Sequence, residues 1–85
     1  MDIFYTPAFT RQFSSLEYVL QEEVALKIEQ FKDLKNHQQL RVHKLKGHLS
    51  GRYSFYVNYR YRIVFVYQGN DVAILLAIGD HEVYT

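Results

Sequence analysis

The side chains of this 85-residue chain best equipped to act on an anion are Arg62 and His81. An arginine presents a planar fork of N–H donors that matches phosphate oxygens. Arg62 lies in the stretch from Tyr53 to Val66, which reads as two strands joined by a tight turn at Asn58, Tyr59 and Arg60. Side chains alternate faces along a strand. One face of this pair takes Phe55, Val57, Ile63 and Phe65, all apolar and predicted to rest on a core. The other takes Ser54, Tyr56 and Arg62, with Val64 and Val66 further along, and needs no protein over it. Arg62 beside a tyrosine hydroxyl can therefore hold an anion, although a lone strand arginine is more often a solvated residue than a ligand. His81 follows an apolar run, and histidine is the natural proton carrier near neutral pH. A plain surface position is its other reading. Tyr84 can pack back on the sheet or orient a nucleotide. His43, Lys44, Lys46 and His48 stand on the approach to the hairpin, where they can bind phosphates or keep an edge soluble.

Charge is unevenly spread. The net charge is +1, yet no acid occurs between Asp33 and Asp71. That interval holds seven cations, Lys35, Arg41, Lys44, Lys46, Arg52, Arg60 and Arg62, and three of the four histidines. All nine acids lie outside it with only three cations, so a basic segment sits on an otherwise acidic chain. A polyanion is the natural partner of such a segment, and a solvated surface paired with helix acids is the alternative.

The elements that must position these groups follow in order. Asp2 to Thr6 is a short β-type run, and Thr6-Pro7 is a helix start with a hydroxyl cap and a first-position proline. Phe9, Phe13 and Leu16 share a face of a short helix that ends near Ser14-Ser15. A second helix is predicted from about Tyr18 to Lys35, with Leu20, Val24, Ile28 and Phe31 as its apolar stripe and Leu34 extending it. Acids early and lysines late in this helix suit its dipole. Asn36 to Gln39 is a polar loop, and the segment from Arg41 to Gly47 has no strict period. After the hairpin, residues 68–71 form a second turn. Val72 to Ile78 is apolar on both faces, which predicts a central strand. A strand, two helices and three strands, β-α-α-β-β-β, indicate one α+β domain over 1–85, with a helical hairpin on one face of a small, mainly antiparallel sheet.

Several classes are set aside. With no cysteine there is neither a disulfide staple nor thiolate chemistry. No apolar run approaches the roughly 20 residues of a membrane helix, and the first residues lack the basic region of a signal peptide, so a cytoplasmic protein without membrane contact is expected. The histidines lack the spacing of a metal site, and neither a phosphate-binding glycine loop nor a nucleophile elbow is present. No metal or cofactor is expected.

The segments 45–47, 49–51, 53–55, 61–65 and 78–84 resemble the RelE/ParE superfamily of bacterial toxins, and the likeness spans nearly the whole chain. It implies a toxin of a type II toxin–antitoxin pair with a cognate antitoxin as partner. The RelE branch cleaves mRNA in the ribosomal A site, and the ParE branch poisons DNA gyrase. A member that only binds its antitoxin is a third possibility. Arg62 matches the arginine that RelE-like nucleases place on the scissile phosphate, His81 matches the catalytic histidine of YafQ-like members, and Tyr84 matches a contributing C-terminal tyrosine. The histidine-bearing end favours the nuclease branch. The resemblance then implies a metal-independent attack by the RNA 2′-hydroxyl, with His43, Lys44, Lys46, His48, Arg52, Tyr56 and Arg60 as RNA-binding residues. Where RelE carries two lysines this chain has Ser54 and Tyr56, and YoeB has a glutamate near the place of His43. The general base is therefore either His81 in a double role or a group among His43, Lys44 and His48.

Overall fold

The computed structural model describes residues 1–80 and 83. It contains strand β1 (Asp2–Tyr5), helix α1 (Pro7–Ser14), helix α2 (Tyr18–Phe31), and strands β2 (His43–Lys44), β3 (Tyr53–Tyr56), β4 (Arg62–Tyr67) and β5 (Val72–Gly79). Short 3-10 turns cover Leu34–Asn36 and Gly47–Leu49. The strands form one mixed sheet in the order β1-β5-β4-β3-β2, with β1 parallel to β5 and every other pair antiparallel. The two helices pack on one face of it, the α+β arrangement expected from the sequence. Among the described residues no helix is long and apolar enough to cross a membrane.

The helical stripe and the hairpin's apolar face meet as predicted. Phe9, Val24, Ile28 and Phe31 are buried against Phe55, Val57, Ile63, Phe65 and Leu75, with Phe13, Leu16 and Leu20 packed at the margin. Phe31 is the joint between the layers. Its ring stacks on Phe55 at 4.3 Å and meets Phe65 edge-on at 4.8 Å. Its other neighbour is His37, whose ring lies 4.7 Å away and nearly parallel. His37 Nε2 faces the Phe31 carbonyl at 2.7 Å, so that nitrogen carries the proton and donates to the end of α2. Tyr67, at the far end of β4, has its hydroxyl held above the ordinary tyrosine range, chiefly by burial and secondarily by Tyr53.

β5 is an interior strand between β1 and β4, but β1 accompanies it only as far as the pair Tyr5 and Leu75. A register shift opposite Val64 and Phe65 makes Leu76 an extra residue in β5. Helix α1 supplies the missing partners. The Thr6 backbone N–H donates to the Leu75 carbonyl at 3.1 Å. The Thr6 hydroxyl lies 3.1 Å from both the Leu75 and Leu76 carbonyls, and its oxygen accepts from Phe9 N as the cap of α1. Gln12 Oε1 accepts from the Ile78 N–H at 2.9 Å.

Four expectations need correction. Helix α2 stops at Phe31, short of Lys35, because Asp33 turns extended and its carboxylate accepts from Lys35 N, the local competition that acidic caps offer a helix. Leu34 therefore does not extend the stripe, and it is 69% exposed. The first turn of α2 has no acid and its last turn no cation, so the charges that suit its dipole stand only at the caps, Glu17 and Lys32. His43–Lys44 is a strand: two residues long and without a pattern, it is held to β3 by pairing and by flanking bonds from Tyr56 N to the Leu40 carbonyl and from Leu45 N to the Arg52 carbonyl. The fourth difference lies on the face of β3 and β4 that bears Arg62. Ser54 and Val64 are buried, where an uncovered face was expected, and Ser54 has His43 of β2 and Val64 of β4 as cross-strand partners on either side.

Thr6→Ala removes a helix cap and a partner of β5 together. We expect it to lower stability by about 1–2 kcal/mol in urea unfolding, with Thr6→Ser recovering most of the loss.

Candidate active site

The connection from β3 to β4 is built on Asn58. Its side-chain oxygen accepts from the N–H groups of Arg60 (2.9 Å) and Tyr61 (2.8 Å), the turn that asparagine forms with its own following backbone. Its side-chain nitrogen donates to Glu23 Oε1 of α2 at 2.8 Å. The turn closes with Val57 N donating to the Tyr61 carbonyl at 3.0 Å.

Arg62, the first residue of β4, folds back over this turn. Its Nη1 donates to the carbonyls of Asn58 (2.7 Å) and Tyr61 (3.0 Å), and its Nη2 donates to that of Tyr59 (3.3 Å). The guanidinium lies 3.6 Å from the ring centroid of Tyr56, its cross-strand partner. The ion pairs among the described residues join Lys32 to Glu29 and Lys35 to Asp33, so neither falls on Arg62. Three carbonyls and an aromatic face fix the guanidinium, and among the described residues its Nε and one N–H of Nη2 have no carbonyl partner.

Arg41, which the sequence marked only as one cation among seven, joins this cluster. Its Nη1 donates to the Tyr56 hydroxyl at 3.3 Å, and its guanidinium carbon lies 4.8 Å from the same ring centroid. Its backbone has φ of 57°, a left-handed conformation uncommon outside glycine. Nothing in the residue pattern signals such a backbone.

His43 pairs with Ser54 and so shares the face of Tyr56 and Arg62. The neighbouring position on β3 lies about 7 Å along the strand. His43 Nδ1 faces the Arg41 carbonyl at 2.8 Å and must carry the proton to donate there. In the neutral ring Nε2 is then a proton acceptor. Lys44 pairs with Tyr53, whose ring stacks on Phe65, so Lys44 belongs to the helix-bearing face and not to that of Arg62. Lys46, His48 and Arg52 are exposed around the turn between β2 and β3. Arg60 is exposed beside Arg62, with its guanidinium 5.3 Å from the ring of Tyr61. His81 and Tyr84 lie outside the described residues. β5 ends at Gly79, directly opposite Arg62, and a Cβ on Gly79 would sit 3.5 Å from Val83 Cβ. An apolar groove of about 340 Å³ between the helices and β1, lined by Tyr5, Phe9, Phe13 and Ile28, opens elsewhere on the molecule.

The five-stranded sheet with its helical pair is the fold of the RelE-type toxins. Among solved structures, the protein HP0894 from Helicobacter pylori superposes with a TM-score of 0.74 at 21% identity, over 96% of each chain. YafQ from E. coli BL21(DE3) gives 0.73 at 11% identity, over 98% of this chain and 96% of that one. The YoeB–YefM complex from Staphylococcus aureus gives 0.74 at 15% identity, over 95% and 97%. No curated protein sequence matches the chain. The family profile described as "RelE-like toxin of type II toxin-antitoxin system HigB" matches residues 4–81. The chain belongs to this family of HigB-like toxins.

Asn58→Ala removes the acceptor that closes the turn and leaves Glu23 without its partner. Urea unfolding should show a loss of about 1–3 kcal/mol, whereas Tyr59→Ala, at a side chain 88% exposed, should change stability by less than about 0.5 kcal/mol.

Proposed function

We propose that this toxin is a ribosome-dependent mRNA endonuclease. The observation that carries the reading is the setting of Arg62: a guanidinium anchored by backbone carbonyls and a tyrosine face, inside a segment with seven cations and no acid. Such a group meets the demand of RNA cleavage, where negative charge accumulates on a crowded phosphate. The RNA 2′-oxygen attacks the adjacent phosphorus, the bond to the 5′-oxygen breaks, and a 2′,3′-cyclic phosphate and a 5′-hydroxyl result. One proton leaves the 2′-hydroxyl and another reaches the departing 5′-oxygen.

Arg62 takes the phosphate charge. His43 receives the 2′-hydroxyl proton on Nε2, a role supported by its place on the Arg62 face and by the hydrogen bond that commits Nδ1 to donation. Lys44, on the other face, is the weaker candidate for this step. His81 gives the proton to the leaving oxygen. It follows two residues after Gly79, the partner of Arg62 across the sheet. Tyr84 orients the substrate, and Lys46, His48, Arg52 and Arg60 add positive potential. A cognate antitoxin presenting acidic or apolar segments would silence the toxin, in keeping with structural relatives solved as toxin–antitoxin complexes, YoeB–YefM and the archaeal RelE–RelB complex from Pyrococcus horikoshii. Both the enzyme and its antitoxin belong in the cytoplasm, where translating ribosomes are.

Primer extension on mRNA bound to translating ribosomes tests this. The unaltered protein should cut, Arg62→Ala should slow cutting on the order of 10²–10³-fold, and His43→Gln and His81→Gln should each slow it by about 10²–10⁴-fold. Intact mRNA together with gyrase-dependent DNA breaks would overturn the reading.

A further inference from the structure

Arg41 is held in a way that a solubilising cation does not require. It is the one residue other than glycine with positive φ among the described residues, a conformation in which Cβ crowds the following carbonyl. Such strain persists where the surroundings over-determine it, and it gathers at binding sites. Three contacts do so here. Arg41 N donates to the Gln38 carbonyl at 3.1 Å, its carbonyl accepts from His43 Nδ1 at 2.8 Å, and its guanidinium reaches Tyr56. The left-handed turn thus aims one side chain at the ring that already bears Arg62, while its backbone orients the histidine one strand away.

Two cations against one ring repel each other. The distances of 4.8 Å and 3.6 Å to the shared centroid bound their separation, and no ion pair among the described residues involves either of them. The quadrupole of the tyrosine ring attracts both but neutralises neither. An anionic ligand would relieve the repulsion. We propose that Arg41 and Arg62 form a two-arginine clamp, with Tyr56 as the post between them, that takes two neighbouring phosphates of a single RNA strand: the scissile one at Arg62 and the adjacent one at Arg41. This rests on the RNA-cleaving reading and adds to it a specific second contact. An acidic peptide of the antitoxin is the competing occupant. RNA is favoured because Arg41 also positions His43, a group that only a reacting substrate would need.

The test is the salt dependence of binding to a short single-stranded RNA, 2′-O-methylated throughout so that it cannot be cut, followed by fluorescence anisotropy. Each phosphate contact contributes about 0.7 to the slope of log K against log salt on a single strand. Arg41→Asn removes the charge while tolerating positive φ, and Arg41→Gly serves the same purpose should the first variant fold poorly. Either should lower the slope by about 0.7 with thermal unfolding essentially unchanged, and Arg41→Lys should keep the slope. Tyr56→Phe, which retains the ring but not the hydroxyl that Arg41 grips, should weaken binding in the unaltered protein and have no further effect beside Arg41→Asn. An unchanged slope in Arg41→Asn with a lowered slope in Arg62→Gln would overturn the clamp and leave the nuclease reading standing. Unchanged slopes in both would overturn both. Loss of antitoxin affinity without a change in slope would assign Arg41 to the protein partner and likewise overturn the clamp.

Discussion

The packing of Phe31 on Phe55 and Phe65 is the contact on which the rest of the structure depends. In a strand pair the side-chain period is two, so burying Phe55 and Ile63 on one face compels Tyr56 and Arg62 onto the other. A slip of one residue would place Arg62 in the core and Phe55 in solvent. The ring stack excludes that slip at large cost, since emptying a site of this kind typically costs about 3–5 kcal/mol. The helix layer therefore sets the position of the candidate site from the opposite face of the sheet. His37 extends the same stack into the connection that leads to β2, and so ties the approach of Arg41 and His43 to the core.

Charge is divided along the same plane. Among the described residues, Glu23 is the acid of α2 that reaches across to the hairpin. It does so through the Asn58 amide. The carboxylate orients Asn58, Asn58 shapes the turn, and the turn's carbonyls hold Arg62. An acid thus contributes to placing the arginine without neutralising it. At the other edge Thr6 and Gln12 complete the pairing of β5 where β1 ends, so the strand opposite Arg62 remains ordered as far as Gly79.

Elements with strong periodicity were legible in the sequence. The Thr6-Pro7 helix start, the stripe from Leu20 to Phe31, the apolar strand β5 inside the sheet and the face bearing Phe55, Val57, Ile63 and Phe65 all stand where alternation and capping place them. What was not legible depends on partners distant in sequence. β2 is two residues long and exists because β3 offers it hydrogen bonds. The end of α2 was decided by a side chain–backbone bond at Asp33, which competes with helical propensity that Leu34 and Lys35 would otherwise support. Leu40 is buried although it sits in a polar run, because its carbonyl accepts from Tyr56 and draws the loop onto the core. In the site, Arg62 could be singled out from its strand and its acid-free surroundings. Arg41 could not, because its φ and its reach to Tyr56 follow from where the loop is anchored.

The choice of carbonyls over a carboxylate as the anchor of Arg62 has a chemical consequence. A buried arginine–carboxylate pair would fix the guanidinium more strongly, but it would meet an incoming phosphate with little net charge, and that phosphate would have to displace or repel the acid. Carbonyl dipoles supply direction and keep the positive charge intact. They belong to a turn already closed by Asn58, so in the proposed reaction little reorganisation would accompany the charge gained by the phosphate, the condition under which a preorganised donor favours a transition state over its ground state. The tyrosine face completes the arrangement: it shields one side of the guanidinium from water without offering a competing anion. Under the proposed function, Asn58 and Tyr56 would therefore be as much part of the chemistry of Arg62 as the arginine itself.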